Sequence, residues 1–187
     1  FTVNDSALNS NTVTSTVNVT AVNDAPVLAT GSTLNYTENG AAAAINTSIT
    51  VSDVDNATLS TATVSITAGF ASGQDVLSFT NVPATMGNIA GSYNASTGVM
   101  TLSSAGNTAT LAQWQAALRA VQYSNSSDNP STASRTVSYV VNDSALNSNT
   151  VSSTINVTAV NDAPVLATGS TLNYTENDAA TAINGVI

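Results

Sequence analysis

The stretch VNDSALNSNTV occupies residues 3–13 and occurs again, unchanged, at residues 141–151. It opens a longer run that reaches the letters YTEN at residues 36–39, and that run returns nearly letter for letter to reach YTEN at residues 174–177. The offset is 141 − 3 = 138 residues, and no insertion interrupts it. Because a period of this size is that of a whole domain rather than of one solenoid coil, the sequence predicts a tandem array of near-identical domains.

Strand-like patterns fill most of one period. Residues 12–20 alternate polar and apolar side chains, which is typical of a strand with one buried face. Similar runs follow at short intervals, separated by glycine and proline, and this spacing predicts an all-β sandwich of the immunoglobulin type. The predicted strands lie at residues 28–38 (with a kink at Gly31), 45–53, 59–68, 75–79, 89–93, 99–102, 136–141 and 151–160.

One segment departs from this alternation. Between residues 111 and 121 the apolar side chains recur at steps of three, four and three, and Thr110 with Gln113 fits a capping box. We therefore expect one short helix at about residues 110–120, laid over an open edge or end of the sandwich. Trp114 is expected to anchor it to the core; stacking on a sugar is the alternative role for this side chain.

The period divides the chain into three parts. Residues 23–160 are predicted to form one complete repeat. Residues 1–22 would be the last two strands of a preceding repeat, and residues 161–187 the joint and first strands of the next. The joints carry the letters VNDAPV, at residues 22–27 and again at 160–165. Because the proline keeps the residue before it extended, each joint is expected to be a stiff hinge.

Composition excludes several classes of function. The chain has no Cys, His or Lys and only two Arg, and its net charge is −9. These absences argue against disulfides and against catalysis, and the negative charge argues against nucleic acid and anionic membranes as partners. No apolar run is long enough to insert into a membrane. Because loops without disulfides need another brace, oxygen-coordinated metal is the candidate.

Acidic residues are predicted to meet at one end of the domain. If the strands alternate in direction, the joint, the loop after the second strand and the last hairpin turn all lie at what we call the leading end. Since calcium binds about six to eight oxygens, several of them from carboxylates, the sequence predicts a calcium site there. Its candidate ligands are Asn23, Asp24, Asp53, Asp55 and Asp143. An isolated Asp in a polar turn, such as Asp5 or Asp75, is expected only to bond its own backbone.

The order of these motifs resembles that of the cadherin repeat, with Glu38 in the first strand, Asp-x-Asp at residues 53–55, Asp143 in the last hairpin and an Asn-Asp-Ala-Pro joint. The chain is still more similar to the tandem cadherin-like repeats of giant bacterial surface adhesins. That similarity rests on the VNDAPV joints, SDVDN (52–56), GQDVLSF (73–79), and the helix followed by VQYSN (121–125). The segment from the helix to Asp128 also resembles repeats of chondroitin-sulfate proteoglycan ectodomains.

The resemblance implies that calcium binds between successive repeats. At the opposite, trailing end of the domain it implies a second group of ligands, namely Glu38, Asp128, Asn161 and Asp162. The family's Asp-Arg-Glu motif is reduced here to Ser127-Asp128-Asn129, and Ala159 stands where the linker has its first Asp. A trailing junction with fewer acids would bind fewer calcium ions, or bind them more weakly, than a cadherin joint.

These observations predict a structural extender repeat of a calcium-stiffened extracellular stalk, adhesin or surface fibre, located at the cell surface or in a biofilm matrix. Its partners would be neighbouring repeats of the same chain and, in a fibre, identical chains. Two alternatives remain open. One is a glycan- or protein-binding module that uses Trp114, Tyr93 or Tyr123, and the other is the subunit of a self-assembling extracellular filament.

Overall fold

A computed structural model describes residues 1–166 and 168–183 and has, within them, eleven strands in three sheets and two α-helices. The strands are β1 (Val27–Ala29), β2 (Thr33–Thr37), β3 (Ala43–Ala44), β4 (Thr50–Ser52), β5 (Thr61–Ala68), β6 (Asp75–Ser78), β7 (Ile89–Asn94), β8 (Val99–Ser104), β9 (Gln122–Asn125), β10 (Arg135–Asn142) and β11 (Val151–Thr158). The helices are α1 (Pro83–Met86) and α2 (Leu111–Arg119), and a 3-10 turn spans Ala105–Asn107. The predicted all-β class with a short helix is confirmed.

Three sheets enclose one core. The largest has the strand order β2-β11-β10-β5-β8-β7, in which β2 and β11 are parallel and all other neighbours antiparallel. The other sheets are β3-β9-β6 and β1-β4. Alternate side chains of the large sheet, such as Val64 and Ile155, pack in one buried cluster with Leu77 and Tyr123 of the three-stranded sheet. Burial of one face of each sheet in a shared core gives the sandwich-like arrangement.

Helix α2 begins and is anchored as the sequence predicted. Thr110 and Gln113 form the capping box, since each side chain accepts a hydrogen bond from the other residue's backbone N–H. Trp114 is fully buried, and its Nε1 donates to the carbonyl of Leu59 at 3.1 Å. The interpretation of Trp114 as a core anchor is therefore confirmed. Tyr123 is fully buried as well, so neither ring has an exposed face on which a sugar could stack.

Two predicted strands differ in extent from those observed. The strand predicted at residues 28–38 is divided between β1 and β2, which belong to different sheets, and the break contains Gly31. The strand predicted at residues 45–53 is reduced to β4. There, Asn46 Oδ1 accepts hydrogen bonds from the backbone N–H groups of Ser48 and Ile49, so the chain turns instead of extending. Strands β3 and β9 and helix α1 were not predicted.

The strands predicted in the flanking parts are not formed. Residues 1–25 are exposed and contain only an isolated bridge between Asn4 and Asn9, and no strand occurs among the described residues after 160. Val17 is 83% exposed, whereas Ile155, its equivalent one period later, is fully buried in β11. The physical reason is that an alternating segment forms a strand only where other strands cover its apolar face and pair with its backbone. The three-part division itself stays a prediction.

Candidate functional site

Three loops meet at the leading end, where the sequence placed them. Asn23 Nδ2 in the joint donates to Asp143 Oδ2 in the β10–β11 hairpin at 2.8 Å. The backbone N–H of Asp24 donates to Asp55 Oδ2, in the loop after β4, at 2.7 Å. The joint is thus fastened by hydrogen bonds to two loops of the domain that follows it. We call residues 23, 24, 53, 55, 56 and 143 the leading-end cluster.

Asn56 belongs to this cluster, although it was not among the ligands predicted from the sequence. Its Nδ2 lies 2.8 Å from Asn23 Oδ1 and 3.4 Å from Asp143 Oδ2, so it links the loop after β4 to both other loops. Its position directly after the Asp-x-Asp motif was the available signal. Because an amide carries one oxygen acceptor as well as N–H donors, Asn23 and Asn56 each add an oxygen ligand to those of the carboxylates.

Nitrogen donors hold the leading-end carboxylates. Asp53 Oδ1 accepts from the backbone N–H groups of Asp55 and Asn56, at 2.9 and 2.8 Å. The hydrogen bond from Asn23, followed by that from the backbone N–H of Leu146, lowers the pKa of Asp143. No three acidic side chains of residues 1–166 and 168–183 form a ready metal-binding group. A cation at this end would therefore have to draw on amide and carbonyl oxygens and replace some of these N–H contacts.

Acid is expected to weaken the contact between Asn23 and Asp143, which is one of the two that fasten the joint. Because the folded-state pKa of Asp143 lies below the ordinary value of 3.8, its carboxylate stabilises the joint above that value. This contribution is lost as the pH falls through the folded-state pKa, when Asp143 no longer presents a charged acceptor to Asn23. We expect the Asn23 side-chain amide resonances to shift between about pH 5 and pH 2, in step with protonation of Asp143.

Asp5 provides the internal control for that titration. It occupies the equivalent turn one period earlier, and backbone N–H groups of Leu8 and Ala7 lower its pKa without an asparagine partner. Its carboxyl should titrate without moving the Asn23 signals. An Asn23 amide that stays unchanged while Asp143 is protonated would contradict the contact. The expectation that Asp5 bonds its own turn is confirmed.

The trailing end contains a buried carboxylate without a partner. Glu38 is 5% exposed, and both of its carboxylate oxygens are buried without a hydrogen bond from any described residue. Its backbone N–H donates to the carbonyl of Thr158, which places it where β11 ends. The next residue, Asn39, donates from Nδ2 to Asp128 Oδ1 at 3.1 Å. Glu38 and Asp128 therefore lie at the same end of the domain, with Asn39 between them in the contact network.

Asn161 and Asp162 do not join this group. Both are exposed, and Asn161 Nδ2 donates to the carbonyl of Asp162 at 3.3 Å. In the part of the chain that the structure describes, neither forms a hydrogen bond with Glu38 or Asp128. Of the four residues that the resemblance implied for the trailing junction, the hydrogen bonds of the described residues thus connect only Glu38 and Asp128, by way of Asn39.

Glu38 has two properties expected of a cation ligand, namely burial and carboxylate oxygens without a hydrogen-bond donor from any described residue. Removing a carboxylate from water without giving it a partner costs several kcal/mol. Proteins retain such a group where a cation or a donor satisfies it, and calcium accepts one or both oxygens of a carboxylate. The same requirement does not arise at the leading end, where N–H groups bond the carboxylates of Asp53, Asp55 and Asp143 and where Asp24 is exposed. Among the predicted ligands, Glu38 is therefore the one whose buried carboxylate oxygens lack a hydrogen-bond donor from any described residue.

A buried ion pair lies beneath the loop that carries Asp128. Arg135 Nε and Asp75 Oδ2 are 3.2 Å apart, and both side chains are fully buried. Asp75 Oδ1 also accepts from the Tyr123 hydroxyl and from Asn125 Nδ2, at 2.5 and 2.6 Å. Arg135 Nη1 donates to the carbonyls of Ser131 and Ala133. The pair therefore holds both ends of the loop at residues 126–134.

The expectation that Asp75 is a simple turn residue is wrong. The signal that would have corrected it is the alternation along each strand. Asp75 has the same parity as the buried Leu77, and Arg135 the same parity as the buried Val137 and Tyr139, so both charged residues face the core. Asp75 resembles a turn residue in the sequence because it is charged and stands at the first position of β6.

Comparisons with protein-family models, with curated proteins and with solved structures find no match to this chain. Nor is there a detectable pocket in the described part of the molecule. None of its helices there has the length and apolar character needed to cross a membrane. The features of the molecule that bear on function are therefore the two ends of the domain and the repetition of the sequence.

Proposed function

We propose that this chain is a structural repeat of an extended stalk, adhesin or fibre, located at the cell surface or in the extracellular matrix, and that calcium stiffens the joints between repeats. The observation that carries the proposal is the fastened joint. Asn23 and Asp24 of VNDAPV are bonded to two loops of the following domain, and the same six letters return 138 residues after their first occurrence. A joint fastened in this way restricts swinging of the chain that precedes it.

Calcium would be held at both ends of each repeat. The trailing end offers Glu38 and Asp128, to which the resemblance adds Asn161 and Asp162. The leading end offers Asp24, Asp53, Asp55 and Asp143 together with the amide oxygen of Asn23. A bound calcium ion places positive charge between the carboxylates of successive domains. The carboxylates then bind the same ion instead of repelling each other. The buried, unpartnered carboxylate of Glu38 is the specific support for a cation.

Calcium is expected to raise the melting temperature. A ligand present at about 100 times its dissociation constant stabilises the folded state by roughly 2.7 kcal/mol, which for a domain of this size corresponds to about 10 °C. Differential scanning calorimetry in calcium and in chelator measures the difference. We expect the Glu38→Gln variant, and the double variant Asp53→Ala with Asp55→Ala, to lose part or all of it.

A matched control lies within the same chain. Glu176 stands in the second copy of YTEN but is exposed, so Glu176→Gln removes the same charge from the same local sequence without touching a buried site. Its calcium-dependent shift should equal that of the unmodified chain. Melting curves that are identical in calcium and in chelator would overturn the calcium part of the proposal. If Glu38→Gln and Glu176→Gln reduce the calcium-dependent shift in melting temperature equally, Glu38 is not a specific calcium ligand.

A further inference from the structure

The first and last segments of the domain run side by side in the same direction. Residues 33–37 pair in parallel with residues 154–158, and the paired residues are 121 positions apart. The same offset continues before β2. The backbone N–H of Leu28 donates to Asn149 Oδ1 at 2.9 Å, and its carbonyl accepts from Asn149 Nδ2 at 2.8 Å. We call residues 28–38 the incoming segment and residues 149–158 the outgoing segment.

Further contacts join the two segments along their length. Ser32 donates through its backbone N–H to Ser153 Oγ, and its carbonyl accepts from the backbone N–H of Thr154. Asn156 Nδ2 donates to Asn35 Oδ1, its direct neighbour across the strands, at 3.1 Å. At Gly31 the backbones approach so closely that a Cβ would lie 2.2 Å from the Ser152 carbonyl oxygen. The contact thus continues through the break between β1 and β2.

The direction of the two segments determines how tension would act on them. The joint contacts the leading end, where the β10–β11 hairpin lies. The eight residues of β11, at about 3.3 Å each, carry the outgoing chain about 26 Å to the trailing end. Tension along an array pulls the incoming segment beyond the leading end and the outgoing segment beyond the trailing end. Because the segments are parallel, this force acts along the strands and loads all their hydrogen bonds together.

We propose that the pair of incoming and outgoing segments is the tension-resisting element of the repeat, which withstands pulling along the array by shear of this parallel pair. The proposal takes the direction of the force from the proposed array but does not depend on calcium. Antiparallel first and last strands would place both chain connections at one end, where the same tension would open the pair bond by bond. In the array, the neighbouring repeats exert this force on the domain through the connecting chain.

Two attachment geometries in the same full-length chain test the proposal. The chain has no native Cys, and Ala25, Ala145 and Ala159 are exposed. Handles attached through Ala25→Cys and Ala159→Cys pull the pair in shear. Handles attached through Ala25→Cys and Ala145→Cys, both at the leading end, open the pair from one side. At equal loading rate in a single-molecule instrument, we expect an unfolding force at least about twofold higher in shear, since forced unfolding reports the barrier along the pulled direction.

A substitution separates this role from general stability. Asn149→Ala removes both hydrogen bonds to Leu28 and should speed unfolding in shear, at constant force, by about fivefold or more. Ser92→Ala, on the exposed face of edge strand β7 and outside the force path, should change that rate less than twofold, as expected for a neutral surface substitution. Circular dichroism is the check that both variants are folded.

Equal unfolding forces in the two geometries would overturn the proposal. A difference in unfolding force between the two geometries that is present in calcium and vanishes in chelator would also overturn it. The resistance would then come from the ion and not from the strands. If the melting temperature does not respond to calcium while the asymmetry persists in chelator, only the calcium part of the proposed function fails. The two proposals can therefore be refuted separately.

Discussion

Asp75→Asn is expected to lower the free energy of unfolding by about 3–5 kcal/mol, which is the usual effect of removing one partner from a buried ion pair. The substitution leaves the size of the side chain almost unchanged, so it creates no cavity. It leaves the guanidinium of Arg135 fully buried without its counter-charge. It also replaces one carboxylate oxygen, each of which accepts several hydrogen bonds here, by a donor. Urea denaturation followed by circular dichroism measures the loss.

A double variant tests whether the loss of stability comes from leaving the Arg135 charge buried without a partner. Replacing both partners, as Asp75→Leu with Arg135→Met, removes both charges and is expected to restore part of the stability, since apolar replacements of a buried pair are often neutral or better. The carbonyls of Ser131 and Ala133 would still lose their donor, so recovery is expected to be incomplete. If Asp75→Asn changes stability by less than about 1 kcal/mol, the ion pair does not hold the loop, because the predicted loss is several times larger.

Trp114→Ala is expected to cost about 3–5 kcal/mol, the range measured when large aromatic side chains are removed from protein cores. The ring is fully buried, and it connects α2 to the backbone at Leu59, which starts the segment leading into β5. Both the apolar contacts and the hydrogen bond to the Leu59 carbonyl disappear in this variant. The loss should appear as a lower urea midpoint with an unchanged slope, which indicates a change in stability rather than in the extent of unfolding.

Trp114→Phe separates the two contributions. It retains an aromatic ring in the core but leaves the buried carbonyl of Leu59 without a donor, which costs about 1–3 kcal/mol. The expected order of stability is the unmodified chain, then Trp114→Phe, then Trp114→Ala. A stability that Trp114→Ala leaves unchanged would contradict the role of this ring as an anchor of α2 in the core.

The sequence alone was sufficient for features that depend on local pattern. Alternation identified most of the strands, and the steps of three and four with the Thr110–Gln113 pair identified α2 to within one residue at each end. The sequence also predicted which loops meet at the leading end, because alternating strand directions bring them together. These are the joint, the loop after β4 and the last hairpin. These predictions need only the periodicity of the backbone and the order of the strands.

Features that depend on pairing across the fold could not be obtained in this way. The ion pair joins residues 60 positions apart. Strand alternation can place Asp75 on the inner face of its strand, but no local pattern identifies Arg135 as its partner. The division of residues 28–38 between two sheets depends on the close approach of Gly31 to the outgoing strand. Likewise, the absence of a partner for Glu38 can be recognised only when every neighbouring donor has been placed.

The two copies of the last strand raise a question of self-recognition for any array of this kind. Residues 12–20 and 150–158 differ only at Thr14/Ser152 and Val17/Ile155, so the groove between β10 and β2 can hardly distinguish its own strand from its neighbour's by side-chain fit. What favours the correct strand is the tether. The short hairpin of residues 143–150 gives it a high effective concentration, whereas a strand from another repeat must close a far longer loop. Fidelity of assembly in such an array thus depends on chain connectivity more than on complementarity, and strand exchange between repeats is its characteristic error.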